Sequence, residues 1–155
     1  MIVDCVLDTN ILLYAVSRRP AHRLKKTKAI ELIENERFGI SVQVLQEFYW
    51  NATKKADFAM DSETALAWIE HLEEVPCCFT DIALVKNAIT MSERYRISYW
   101  DGAVIVAAEA LGAPVLYTED LNHGQHYGSV KVINPFVDSD QPGFHEKAQT
   151  QLAKE

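Results

Sequence analysis

Five short apolar segments alternate with longer stretches of helical periodicity, and this alternation limits the possible folds more than any other feature. The segments are IVDCVL (2–7), RFGIS (37–41), VPCCF (75–79), PVLYT (114–118) and VKVIN (130–134). Strands that read as nearly continuous apolar runs are buried on both faces. Strands separated by helices pair in parallel, because each helix carries the chain back to the end of the sheet where it started. The expected fold is therefore α/β: three α/β/α layers around a central, mostly parallel five-stranded sheet.

The stretches between the strands read as helices. TNILLYAVS follows the first segment. After Pro20, HRLKKTKAIELIENE places Leu24, Ala29, Leu32 and Ile33 on one side. Ser41 is positioned to cap VQVLQEFYWNATKK. Residues 61–74 carry Ala65, Leu66, Trp68, Ile69 and Leu72 at helical spacing, and Thr80 or Asp81 caps IALVKNAITMSERY. WDGAVIVAAEALG (100–112) is apolar almost throughout and stops at Gly112, with Pro114 beyond. After Pro135-Phe136 the composition turns polar. A length of 155 residues with 48% hydrophobic content suits one domain. That domain is expected over residues 1–136, with a polar C-terminal appendage over 137–155 and a short helix from 144.

Several classes of function are disfavoured. No apolar run approaches the ~20 residues of a membrane span. The N-terminus lacks a basic start and a small-residue cleavage site, and Asp4 interrupts its apolar run. A soluble cytoplasmic protein without membrane contact is expected. Three cysteines with no C-x-x-C spacing suggest neither a disulfide framework nor a zinc site. No G-x-G-x-x-G follows the first strand, which disfavours a dinucleotide site. A net charge of −7 speaks against simple electrostatic binding to nucleic acid. However, SRRPAHRLKKTK (17–28) concentrates Arg18, Arg19, Arg23, Lys25, Lys26 and Lys28. That cluster fits either a solvated helix face or a contact with a phosphate backbone.

The acids carry the functional signal. In open parallel sheets, ligands bind beyond the carboxyl ends of the strands, where strand order reverses. Asp8 ends the first strand and Glu119-Asp120 the fourth. Asp101 opens the helix that leads into the fourth strand, and Glu47 lies within the helix after the second. Each has an ordinary explanation: Asp8 and Asp101 as helix caps, Glu47 as a surface residue, Asp120 as a loop acid. Glu47 nevertheless borders the apolar face formed by Val44, Leu45, Phe48 and Ala52. Carboxylates gathered at one sheet edge repel unless they are protonated or bridged by a cation. An all-oxygen set selects Mg²⁺ or Mn²⁺ over Zn²⁺. Such an ion acidifies a bound water and stabilises a departing oxygen, which implies phosphodiester hydrolysis.

The sequence resembles the PIN-domain family, and within it the VapC-type ribonuclease toxins of bacterial toxin–antitoxin pairs. LDTNILLYA, SVQVLQEFYWNATKK, ISYWDGAVIVAAEALG and VLYTEDLNHGQ carry the likeness, which spans residues 2–136. The resemblance implies metal-binding and catalytic acids at Asp8, Glu47, Asp101 and Asp120. It implies supporting roles for Thr9, Asn10 and Thr118, with Glu119 beside the last acid. It also implies an Mg²⁺- or Mn²⁺-dependent endoribonuclease, a homodimer and an antitoxin partner. Arg18, Arg19, Arg23, Lys25, Lys54 and Lys55 are the candidates for holding RNA phosphates.

Two other readings stay open. One is a metal-binding module without nuclease activity. The other is a phosphatase with an aspartyl nucleophile acting on small phosphate esters, although such enzymes want a second acid two residues after the first, where Asn10 stands. Among the aromatics, Trp50 lies off the apolar face of its helix, suited to stacking on a base or meeting a partner. Tyr49, Tyr99 and Trp100 are expected in core or dimer packing.

Overall fold

The structure is a computed structural model that describes residues 2–137. The polar segment from 138 onward, with the helix expected from 144, lies outside the described residues. The strands are β1 (Cys5–Leu7), β2 (Phe38–Ser41), β3 (Cys77–Cys78), β4 (Val115–Tyr117), β5 (His126–Tyr127) and β6 (Val130–Ile133). The helices are α1 (Thr9–Ala15), α2 (Arg23–Asn35), α3 (Val42–Lys54), α4 (Ser62–Leu72), α5 (Ile82–Tyr95) and α6 (Tyr99–Ala110), with a 3-10 turn at Pro20–His22.

Sheet order is β3-β2-β1-β4-β6-β5, and every pairing is parallel except β5 with β6. From β1 the chain steps outward through β2 to β3, then crosses back to β4 on the far side of β1. Right-handed crossovers put the first set of helices on one face and the return helices on the other. Helix contacts divide the same way: α1 with α2 and α3, α3 with α4, and α5 with α6. Strand order therefore reverses between β1 and β4, and a crevice opens beyond their carboxyl ends.

The mostly parallel α/β architecture agrees with the sequence reading, and the sheet has a sixth strand in addition. His126–Tyr127 folds back on β6 through a two-residue turn, with Gly128 at φ +60°. A positive φ at the first turn position is the geometry that closes a tight hairpin. Two residues are too few to leave a periodic signal, so sequence alone did not reveal this strand.

Local chemistry sets the helix starts. Ser41 accepts from the Val44 amide at 3.1 Å, and Asp81 accepts from the Leu84 amide at 2.7 Å. Helix α6 is the buried one: Gly102 through Ala108 are all inaccessible. A Cβ on Gly102 would lie 2.7 Å from the Ala88 carbonyl oxygen, so the glycine lets α5 and α6 approach closely. Two expected core positions are corrected. Leu24 and Leu66 are more than half exposed, because their helices bury narrower stripes than the periodicity suggested.

Candidate metal centre

The centre is built on the two strands that flank the crevice. Leu7 pairs with Tyr117, so Asp8 and Thr118 leave the sheet side by side. Thr118, wholly buried, donates its hydroxyl to Asp8 Oδ2 at 2.8 Å. Asp8 Oδ1 accepts from the Thr9 amide at 2.7 Å, so Asp8 does cap α1. Both Asp8 oxygens thus carry one hydrogen bond each, Oδ1 from the Thr9 amide and Oδ2 from the Thr118 hydroxyl.

Asp101 comes from the opposite helical layer. It does not cap α6; Ser98 does, accepting from the Asp101 amide at 3.0 Å. That correction matters for function, because the Asp101 carboxylate is released from backbone duty and projects from the first turn. Ser98 stands three residues before the amide it accepts from, the spacing of a serine N-cap.

Asp120 is held by Asn10, whose amide donates to Asp120 Oδ2 and to Thr118 Oγ1, both at 3.1 Å. Those two contacts settle the orientation of the amide, since the reverse orientation would set oxygen against oxygen. The other amide atom, Asn10 Oδ1, is buried without a hydrogen-bond partner among the described residues.

One carboxylate oxygen each from Asp8, Asp101 and Asp120 lies within 4.8 Å of the other two. Glu47 is outside that group. Its Oε2 accepts from Thr9 Oγ1 and its Oε1 from Gln43 Nε2, both at 2.8 Å. Four predicted acids thus converge as three plus one neighbour.

Their proton affinities record the crowding. Burial pushes Asp8 up to about 7; bonds from Thr118 and Thr9 oppose this, and the charges of Asp120 and Glu47 add to it. Burial also raises Asp101, countered by Ser98 and reinforced by Asp120 and Glu47. Asp120 is an exposed residue, yet protein atoms crowd its carboxyl and raise it; Asn10 counters, while Glu119 and Glu47 reinforce. A divalent cation among these oxygens would reverse the sign of that mutual repulsion. The donor set is all oxygen, and the residues fit a hard ion.

Glu119 turns away from this cluster. It accepts from Tyr14 Oη at 2.6 Å and pairs with Lys25 Nζ at 3.1 Å. Lys25 also lies over the Tyr14 ring at 4.8 Å and the Phe136 ring at 5.6 Å. The structure therefore pairs Lys25 with Glu119. Arg18, Arg19 and Arg23 are exposed, with Arg19 3.9 Å from Asp57. Lys54 is exposed above Trp50, 5.4 Å from its ring, and Lys55 lines a hollow that Asn10 also lines. Trp100, expected in packing, is 62% exposed. Among the described residues, no helix is long and apolar enough to cross a membrane.

Residues 5–128 match the PIN domain family. A toxin–antitoxin complex from Klebsiella pneumoniae shares the fold with TM-score 0.64 and 16% identity, covering 84% of this chain and 97% of that one. VapC20 of Mycobacterium tuberculosis, described as a sarcin-ricin loop cleaving toxin, gives 0.61 at 16% identity over 75% and 91%. DNA-bound VapBC from Salmonella typhimurium gives 0.57 at 18% identity over 86% and 99%. At these identities the likeness is one of fold. No curated protein matches by sequence.

Proposed function

The chain belongs to the PIN domain family, and from that premise we propose that it is a divalent-metal-dependent endoribonuclease, the toxin of a toxin–antitoxin pair. The observation that carries this reading is the convergence of Asp8, Asp101 and Asp120 from three separate elements to within 4.8 Å. Structural neighbours described as toxins and toxin–antitoxin complexes support it.

Asp8, Asp101 and Asp120 would hold Mg²⁺ or Mn²⁺, with Glu47 completing the site directly or through water. Bound there, such an ion would supply acidification of a water and charge stabilisation of a departing phosphate oxygen. Thr118 fixes the Asp8 carboxylate, and Asn10 fixes Asp120. Thr9 fixes Glu47, so the acids keep their places while empty of charge compensation. Attack by water leaves 5′-phosphate and 3′-hydroxyl ends and does not use the ribose 2′-hydroxyl as nucleophile. Selection of RNA then rests on shape and flanking contacts. Arg18, Arg19, Arg23, Lys54 and Lys55 hold the phosphate backbone. The catalytic unit is residues 1–136. It works as a homodimer in the cytoplasm and is blocked by a cognate antitoxin.

The test is to incubate the purified chain with total RNA in Mg²⁺, in Mn²⁺ and in EDTA, and to map the new 5′ ends. Metal-dependent 5′-phosphate ends that vanish with Asp101→Asn are expected. Cleavage that persists in EDTA, or at wild-type rate in the Asp101→Asn chain, overturns the assignment.

A further inference from the structure

Two exposed tryptophans border a single hollow of ≈ 350 Å³ beside the acidic cluster. Its lining is Gln43, Gln46, Glu47, Trp50, Asn51 and Trp100. Trp50 and Trp100 are each 62% exposed. They come from α3 and α6, helices of opposite layers, and nothing in the core requires either ring. Leaving two large aromatic surfaces in water is unfavourable, so an occupant that covers them gains apolar burial.

Position ties the hollow to the site. Trp100 directly precedes Asp101, and Trp50 lies one helical turn beyond Glu47. Gln43 bridges the two: its Nε2 donates to Glu47 Oε1 at 2.8 Å and lies 3.5 Å from the Trp100 carbonyl oxygen. Whatever lies in the hollow is therefore next to the carboxylates.

The chemistry of the lining selects the occupant. Apart from the two rings, the walls are two glutamines, an asparagine and a glutamate. Gln43, Glu47 and Asn51 already make bonds within the protein, and Gln46 adds a further amide to the wall. A nucleobase has an apolar face for the rings and an edge of donors and acceptors for the amides. Lys54, over the Trp50 ring at 5.4 Å, puts a positive charge beside the hollow, which favours an occupant that carries phosphate. A base within a duplex has both faces covered by its neighbours, so only an unpaired base fits.

Resting on the nuclease reading above, we propose that Trp50 and Trp100 form a stacking site for one unpaired RNA base flanking the cleaved phosphodiester. The site makes the enzyme select single-stranded segments or loops. It positions the strand and takes no part in the chemistry.

The test measures binding of fluorescein-labelled single-stranded RNA decamers, oligoadenylate and oligouridylate, by anisotropy in Ca²⁺. The full chain is compared with Trp50→Ala, Trp100→Ala and the corresponding Phe variants, with circular dichroism as the check on folding. Each alanine change is expected to weaken binding by roughly 5- to 150-fold, the range for loss of one base–aromatic stack. The Phe variants are expected to retain most of the affinity. One abasic nucleotide in the decamer is expected to weaken wild type and to matter less to Trp50→Ala. Folded alanine variants that bind and cleave RNA as wild type does overturn the stacking site alone. The same outcome with a change from dimer to monomer in sedimentation assigns the hollow to a second copy of the chain, and the RNA site falls. A wild-type chain that neither binds nor cleaves any RNA overturns the nuclease reading and the stacking site together.

Discussion

Glu119 and Asp120 are consecutive acids at the end of one strand, and they meet opposite fates. Glu119 sits with a cation and a phenol: Lys25 at 3.1 Å and Tyr14 at 2.6 Å. Asp120 sits with two further carboxylates and neutral donors. The first arrangement is complete as it stands, because the charge is matched within the fold. In the second, burial first and then the repulsion of like charges raise every member. A fold accepts that arrangement where a ligand of opposite charge belongs. Acid content alone marks neither region; what separates them is which charges the fold already neutralises.

Four changes break or sharpen this contrast. Asp8→Asn or Asp101→Asn is expected to reduce RNA cleavage by more than the roughly 10- to 100-fold that follows loss of a supporting bond. Melting of these variants should show stability held or raised, since one repelling charge is gone. Unchanged cleavage would place the chemistry elsewhere. Thr118→Val removes the hydroxyl between Asp8, Asn10 and the Asp120 amide while keeping shape. Cleavage is expected to fall by roughly 10- to 100-fold, with a matching loss of metal affinity by calorimetry.

At the neighbouring acid, Glu119→Gln is expected to leave cleavage within about twofold and to lower stability by roughly 1–3 kcal/mol. That range is the cost of a half-buried charge deprived of its partner. A large loss of cleavage without destabilisation would move Glu119 into the site. A further test concerns pH. Asp8 stands near 7 in the folded metal-free chain against an ordinary 3.8. The folded state then holds a proton that the unfolded state lacks between those values. Its contribution to stability is therefore full below about pH 4 and lost as pH rises through about 7. Against Asp8→Asn, wild type should melt progressively lower between pH 4 and 7.5. Mg²⁺ should restore more of that loss at pH 7.5 than at pH 5, because protons compete with the ion.

Much of this was legible in the residues. Apolar runs separated by amphipathic stretches announced the parallel sheet, and Ser41 and Asp81 cap where their spacing places them. Asp8, Asp101 and Asp120 could be named as a group, because each follows or opens an element at the carboxyl edge. Other features were not legible. Strand β5 is too short to carry a period. Trp100 belongs to an almost wholly buried helix and was expected in core or dimer packing; it lies in the open first turn, 62% exposed, so it is outside the core of the single chain.

By itself, the sequence determined the order of the elements, which strand ends carry acids, and the all-oxygen character of the donors, since these depend on residue type and near-neighbour spacing. Tertiary structure alone decided which of two adjacent acids found a lysine, and that Ser98 rather than Asp101 capped α6. It also decided that Gln43 and Thr9 hold Glu47 just outside the group of three. Those outcomes depend on distances between residues far apart in the chain, and such distances exist only once both helical layers have packed on the sheet.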